Sequence, residues 1–246
     1  MISNTYENNY LNDIIFKIEF SQILQLLGEE NSAKDFQEKI YRSFPQVKIL
    51  QQNTFKISSS GQYTYNKDHF TWVFYNDGKK VDLTASSLTL EYDGNIYEGF
   101  EEFKKDIQLL LESLKVYPLI DVNFIGLRYI NQIPLEPKED INKLINNNLL
   151  SVIKEFETDK VLQSLTKTDL KLNDYILIFQ YGQFNPEYPS ININKDFILD
   201  FDCFTNETES FDKIVDHLNK MHNIIEEYFE KSITDDLRQK MGVGND

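Results

Sequence analysis

Asp200 and Asp202 are the residues of this chain best placed to do chemistry together. They stand two apart in an apolar segment, 197–204, whose residue types are typical of a strand. Because side chains alternate along a strand, both carboxylates would project from one face. Such a pair can hold a divalent cation, share a proton, or pair with a cation of the protein itself.

Arg128 is the cation expected to meet these acids. It alternates with Phe124 and Ile130 on an otherwise apolar segment, where a guanidinium favours a bidentate carboxylate partner. We therefore predict that Arg128 pairs with Asp200 or Asp202 across a sheet.

The histidines and the cysteine offer little further chemistry. His217 and His222 are five residues apart, which turns them to different sides of a helix, so surface or cap roles are expected for them and for His69. Cys203 has no second thiol for a disulfide or a zinc site, which fits a reducing cytoplasm. Phosphate-loop, dinucleotide-binding and nucleophile-elbow motifs are absent from the sequence. No catalytic residue, metal or cofactor is expected.

Aromatic residues are numerous, with 18 Phe and 14 Tyr. Tyr181 and Tyr188 are candidates for a partner-facing patch, since tyrosine combines contact area with a polar tip. Tyr188 lies in the proline-containing connection 185–194, which is a plausible contact loop. Alternatively, the bias of the whole composition toward Tyr, Phe, Asn and Ile explains them.

The net charge of −15 disfavours direct binding to nucleic acid, because that affinity rests on clustered Lys and Arg. An acidic surface instead suits a basic protein, including one that itself binds nucleic acid. A solubility background is the alternative reading of the acidity. The sequence shows neither an export signal nor an apolar run long enough to span a membrane, so a cytoplasmic protein without membrane contact is expected.

Hydrophobic periodicity and turn signals predict the secondary structure. The segment Gln51–Tyr65 is polar and is expected to be a loop or an irregular strand, and Asp77-Gly78 predicts a hairpin turn. Strands are predicted at 14–20, 70–75, 81–92 with a bulge near 86–87, 122–131, 161–172, 175–181 and 197–204, and helices at 32–44, 98–116, 141–156, 210–231 and after Thr234.

Antiparallel strands alternating with a few long helices favour an α+β fold, in which long amphipathic helices pack on a curved, mainly antiparallel sheet. We expect a single compact α+β domain over 1–246. Two similar sub-halves, 10–134 and 140–242, each with a hairpin that leads into a long helix, are the alternative.

Three separated phrases resemble a sporadically distributed family of uncharacterised bacterial and archaeal proteins. They are the strand phrase Ile125–Asn131, the Asp77-Gly78 hairpin, and the C-terminal pattern formed by Leu218, His222, Phe229 and Ile233-Thr234. The resemblance covers 14–242. It implies no activity, and its patchy occurrence is similar to that of defence-associated genes.

The sequence thus favours a non-enzymatic protein that binds another protein, as an inhibitor, an antitoxin-like partner or a sensor in a prokaryotic defence system. A small-molecule-binding module is the first alternative and requires an aromatic pocket. A divalent-metal-dependent enzyme that uses Asp200 and Asp202 is the second. Arg128, Asp200, Asp202, Tyr181 and Tyr188 are the candidate binding residues.

Overall fold

The described residues of the chain form one open, mostly antiparallel sheet of ten strands, which is an α+β architecture as predicted. The computed structural model describes residues 6–27, 29–57, 63–118, 121–135, 139–156, 160–190 and 196–242, with only the backbone for 52–57 and 63–69. The strands are β1 (Leu11–Phe20), β2 (Gln46–Ile57), β3 (Tyr63–Asn76), β4 (Lys79–Leu83), β5 (Ser87–Asp93), β6 (Asp121–Pro134), β7 (Ser164–Leu172), β8 (Tyr175–Phe184), β9 (Asp196–Thr205) and β10 (Glu209–Ser210). The helices are α1 (Lys34–Ile40), α2 (Phe100–Leu114), α3 (Ser151–Glu155), α4 (Ile214–Ser232) and α5 (Asp235–Met241).

The strand order across the sheet is β2-β3-β4-β5-β1-β6-β9-β8-β7, and β10 pairs with β6. Strands β2 and β7 therefore end the two sides of the sheet. The β3–β4 hairpin turns at Asp77 and Gly78, whose φ angles of 24° and 81° are the positive values that a tight hairpin turn requires. The predicted Asp-Gly hairpin is confirmed.

The chain divides into two compact units, each made of segments that are distant in sequence. We name each unit after one of its residues. The Trp72 unit consists of Ile15–Gly126 and Asn206–His217, and the Arg128 unit consists of Met1–Ile14, Leu127–Thr205 and Leu218–Asp246.

In the Trp72 unit, helices α1 and α2 pack on one face of the strands. Phe36 of α1 lies 5.6 Å from Phe74 between ring centroids, and Phe103 of α2 meets Tyr92 edge to face at 4.9 Å. Trp72 is buried, and its indole N–H donates to the Glu30 carbonyl at 2.8 Å. Burying each such aromatic side chain contributes about 1.5–3 kcal/mol, so this face holds the unit together.

In the Arg128 unit, α4 packs on the strand face that carries Phe201. Phe201 stacks on Phe179 at 4.7 Å with an interplanar angle of 4°, and Phe229 of α4 meets its edge at 6.4 Å. The strand–helix succession expected from the C-terminal third of the sequence is confirmed. Thr234 caps α5 through a hydrogen bond that its hydroxyl accepts from the Leu237 amide at 3.3 Å.

Of two local strand predictions, one is wrong and one is confirmed. The segment read as one bulged strand over 81–92 is a tight hairpin in which β4 pairs antiparallel with β5, and Leu83 lies opposite Leu88. The phase change near Ser86 is therefore a turn. For Gln51–Tyr65, the irregular strand, one of the two expected forms, is confirmed. Its described part belongs to the long β2–β3 pair, with one register shift at Gln52 and Asn53, and residues 58–62 lie outside the described residues.

Two predicted helices are shorter than expected. The helix read over 32–44 is reduced to α1, which follows a 3₁₀ turn at Glu30–Ala33 and has no side-chain cap. The helix read over 141–156 breaks into two 3₁₀ turns and α3. Asp140 and Asn146 each accept a hydrogen bond from a backbone N–H two residues on, which favours a turn over a continuing helix.

Candidate functional site

Strand β9 places Asp200 and Asp202 on the face of the Arg128 unit that is opposite to the α4 contact. Phe201 lies between them in the strand and points to α4, so the two carboxylates project the other way. Asp200 lies opposite Gln180 of β8, and Asp202 lies opposite Ile178. The predicted placement of both acids on one face is confirmed.

Arg128 holds Asp200 with a two-pronged contact. Its Nε donates to Oδ1 at 2.8 Å and its Nη2 donates to Oδ2 at 2.7 Å. Asp200 is 6% exposed, whereas the Arg128 side chain is 40% exposed. The hydrogen bonds to Asp200 raise the pKa of Arg128. The predicted ion pair is confirmed, and both Asp200 oxygens are committed to it.

Asp202 is the acid that this arrangement leaves over. Burial raises its pKa above the ordinary aspartate value, and the repulsion from Asp200 adds to the rise. The charges of Arg128 and Lys167 act in the opposite direction, but burial outweighs them. Among the described residues none donates a hydrogen bond to this carboxylate. We call Arg128, Asp200 and Asp202 the Arg cluster.

Half-buried apolar side chains surround the Arg cluster on the same sheet face. They alternate with the buried residues of β6, β8 and β9, and each remains in partial contact with solvent: Ile130, Ile176, Ile178 and Phe204. Gln180 completes the row between Asp200 and Lys167 of β7. A charged group is thus set in an apolar border that is accessible from outside.

The Trp72 unit contains a second group of one cation and two acids, which sequence reasoning missed. Lys80 of β4 lies 2.6 Å from Glu91 of β5 and 3.9 Å from Asp82. Burial raises the pKa of Asp82, Lys80 lowers it and Glu91 raises it again. The Asp82 Oδ1 atom is buried and has no hydrogen-bond partner in the part of the chain described. We call Lys80, Asp82 and Glu91 the Lys cluster.

The helix histidines are buried, which corrects the expected surface or cap roles. His217 is 7% exposed, and its Nε2 lies 3.4 Å from Glu209. His222 is 8% exposed, with Nδ1 at 3.1 Å from the Tyr129 hydroxyl and Nε2 at 3.2 Å from Glu226. Both flank the apolar stripe of α4, so packing holds them. The side chain of His69 lies outside the described residues.

Cys203 and the two candidate tyrosines lie away from the Arg cluster. Cys203 is buried, and burial raises the pKa of its thiol to about 12, which keeps it protonated and unreactive at neutral pH. Tyr181 lies opposite Leu199 on the other face of the sheet, against Phe179 at 4.8 Å. Tyr188 is 60% exposed in the loop after β8. The structure does not bring these residues together.

The described regions include a cleft in each unit. One of about 330 Å³ lies in the Trp72 unit between α2 and residues 211–215. One of about 530 Å³ lies in the Arg128 unit between the β7–β8 turn and α4, with Lys171, Lys220, Tyr175 and Tyr228 in its lining. The described residues contain no group of three or more His, Cys, Asp or Glu side chains arranged to hold a metal ion.

The comparisons with known proteins assign no family. The chain matches no family model, and none of the curated proteins is similar enough to count as a relative. The resemblance drawn from the three sequence phrases stays a prediction. Among the helices of the described chain, none combines the length and apolar character needed to cross a membrane.

Proposed function

We propose that this protein is a non-enzymatic interaction protein that binds a basic protein partner through the Arg cluster. One observation carries the proposal: Asp202 is a partly buried carboxylate for which the described chain supplies no hydrogen-bond donor. Such a group costs free energy in the isolated protein, because water is partly removed and no donor replaces it. A Lys or Arg of a partner would supply the missing donor and charge.

The border of the Arg cluster supports a protein partner. Binding energy at protein interfaces concentrates in apolar, well-packed centres that contain a few charged anchors. Ile178 and Phe204 provide apolar contact beside Asp202, and Arg128 keeps 40% of its side chain exposed. A partner that covers this face would desolvate the apolar side chains and the carboxylate together.

The net charge supports a basic partner. A charge of −15 creates a field that steers a positively charged protein toward the surface and speeds the encounter. Inhibitor, antitoxin-like or sensor roles in a defence system are the specific forms of this proposal, and they rest on the sequence resemblance alone.

The geometry of the Arg cluster also weighs against the metal-dependent alternative. Both Asp200 oxygens accept hydrogen bonds from Arg128, so a divalent cation would have to displace the guanidinium. A buried charge pair that loses one partner is costly, which makes that displacement unfavourable. The single remaining carboxylate, Asp202, is a weaker ligand set than the pair considered from the sequence.

Affinity capture from the native host tests the proposal. The wild-type protein should capture a basic protein. In the purified pair, Asp202→Asn should raise the dissociation constant by about tenfold or more, because a charged interface contact is lost. Asp174→Asn is the matched control, because Asp174 is an exposed aspartate of the same unit. Capture of no basic protein, or equal affinities for wild type and Asp202→Asn, would contradict the proposal.

A further inference from the structure

Strand β7 ends the sheet, and in the described chain no strand pairs with its outer side. Its nine residues pair with β8 along their whole length, so the strand is regular and well supported on its inner side. The outward backbone N–H and C=O groups of such an edge are a template for another strand.

The charge pattern of β7 is self-complementary. Leu165, Lys167, Asp169 and Lys171 share one face, and all four are exposed. In an antiparallel pair of two copies centred on Thr168, Lys167 of each copy lies opposite Asp169 of the other. Thr168 then lies opposite its own counterpart, a cross-strand pair that is favourable in sheets.

This register is the one that combines full overlap with matched charges. A register shift of one residue moves the centre to a point between Thr168 and Asp169 and places Lys167 opposite Leu170. A centre at Asp169 places that acid opposite itself and Lys167 opposite Lys171. A centre at Leu170 again matches Asp169 with Lys171, but it pairs only five residues of β7 instead of nine. The pattern therefore specifies both the partner and the alignment.

The local charges are available for such a contact. Within one chain the Lys167 ammonium lies 3.8 Å from Asp169, beyond hydrogen-bonding distance, and the two side chains are 54% and 61% exposed. The strand carries two lysines and one aspartate, so it is slightly positive in a protein of net charge −15. The edge therefore lacks the excess of acidic residues found in the rest of the chain, so pairing along it brings few like acidic charges together.

We propose that two copies of this chain form a two-fold symmetric dimer by antiparallel pairing of β7, which continues the sheet from one copy into the other. The two-fold axis passes through Thr168. The contact rests on backbone hydrogen bonds and on two Lys167–Asp169 pairs, and it does not depend on the partner proposed for the Arg cluster.

Sedimentation equilibrium tests the dimer. A contact of this small area predicts dimerisation with a dissociation constant in the micromolar range, visible between about 1 and 500 µM protein. The K167D and D169K variants each place like charges opposite each other and should raise the dissociation constant about tenfold or more. Circular dichroism confirms that these exposed substitutions leave the fold intact.

Mixing the variants provides the decisive arm. In an equimolar mixture of K167D and D169K, opposite charges face each other across the proposed register, so a heterodimer should form with near wild-type affinity. A wild-type protein that stays monomeric over this range would overturn the proposal. So would variants that dimerise as tightly as wild type, or a mixture that associates no better than its components.

Discussion

The Arg cluster and the Lys cluster each place one cation near two acids, but the cation pairs with those acids in different ways. In the Arg cluster the guanidinium binds the more buried acid, Asp200, with two parallel hydrogen bonds. In the Lys cluster the ammonium lies 2.6 Å from Glu91 and 3.9 Å from Asp82, two acids whose side chains are similarly exposed, at 36% and 33%. The planar guanidinium of arginine can donate hydrogen bonds to both oxygens of one carboxylate, whereas the compact ammonium of lysine is shared between two carboxylates.

The second acid of each cluster, Asp202 or Asp82, therefore differs in how accessible its carboxylate oxygens are to solvent or a partner. Asp202 lies in an apolar border that is partly open to solvent, so a partner can approach it. Asp82 has one oxygen with no solvent access and no hydrogen-bond partner in the described chain. The Asp82 side chain as a whole is 33% exposed, so the contrast concerns its Oδ1 atom, which no partner can reach and which lowers stability.

Removal of the acid that pairs with the cation should give the largest difference in stability between the two clusters. Asp200→Ala leaves the Arg128 guanidinium without its partner and should lower the free energy of unfolding by about 2–4 kcal/mol. Glu91→Ala should change it by less than about 1 kcal/mol, because both side chains of that pair are substantially exposed. Urea unfolding followed by circular dichroism measures both. Equal losses would show that the two pairs are equivalent.

Exchange of the cation tests how much the two parallel hydrogen bonds of the guanidinium contribute to stability, and the expected effect is smaller. Arg128→Lys keeps the charge but loses one of the two parallel hydrogen bonds, which should cost about 1–2 kcal/mol of unfolding free energy. The reciprocal change Lys80→Arg should stay within about 0.5 kcal/mol of wild type. If Arg128→Lys has the same unfolding free energy as wild type, charge alone accounts for the stabilising effect of the Arg128–Asp200 contact.

The sequence was sufficient to predict the Arg128 ion pair but not its selectivity. Arg128 alternates with apolar residues, so a carboxylate partner could be expected, and the two acids of β9 were the natural candidates. The choice of Asp200 over Asp202 depends on how β6 and β9 align, and that register is set by contacts between residues far apart in the chain.

The Lys cluster was missed because one turn was misread. Once Val81–Tyr92 was taken as a single bulged strand, Lys80 and Glu91 seemed far apart, although the hairpin places them directly opposite each other. The alternation of Lys80 and Asp82 with Val81 and Leu83 was a usable signal. The polar part of β2 left a loop and an irregular strand open as alternatives, because an edge strand can form without an apolar pattern.

The histidines of α4 show a different limit of pattern reading. His217 precedes Leu218, and His222 follows Met221, so both stand beside the apolar stripe. Their five-residue spacing predicts different sides of the helix, and the two imidazoles contact different partners. The spacing could not reveal that neighbouring groups, Glu209 and Tyr129, would meet them in the interior.

Substitution of Asp202, the second acid of the Arg cluster, has the smallest expected effect on stability. It is also the most direct test of whether this carboxylate lacks a partner in the folded chain. Burial raises the folded-state pKa of Asp202, so the folded protein binds a proton more tightly than the unfolded chain does. Stability must then fall as pH rises from the unfolded pKa, near 3.8, through the folded pKa. Asp202→Asn removes this dependence and should stabilise the protein at neutral pH by about 0.5 kcal/mol.

The decisive measurement is the carboxyl carbon NMR titration of Asp202 in the wild-type protein, with Asp202→Asn to assign the signal. We expect a pKa above 3.8 for Asp202, together with higher stability of Asp202→Asn at pH 7 and no stability difference at acid pH where the carboxyl is protonated. A pKa below 3.8, or a loss of stability in Asp202→Asn at pH 7, would show that the folded chain already satisfies this carboxylate and that Asp202 does not await a partner.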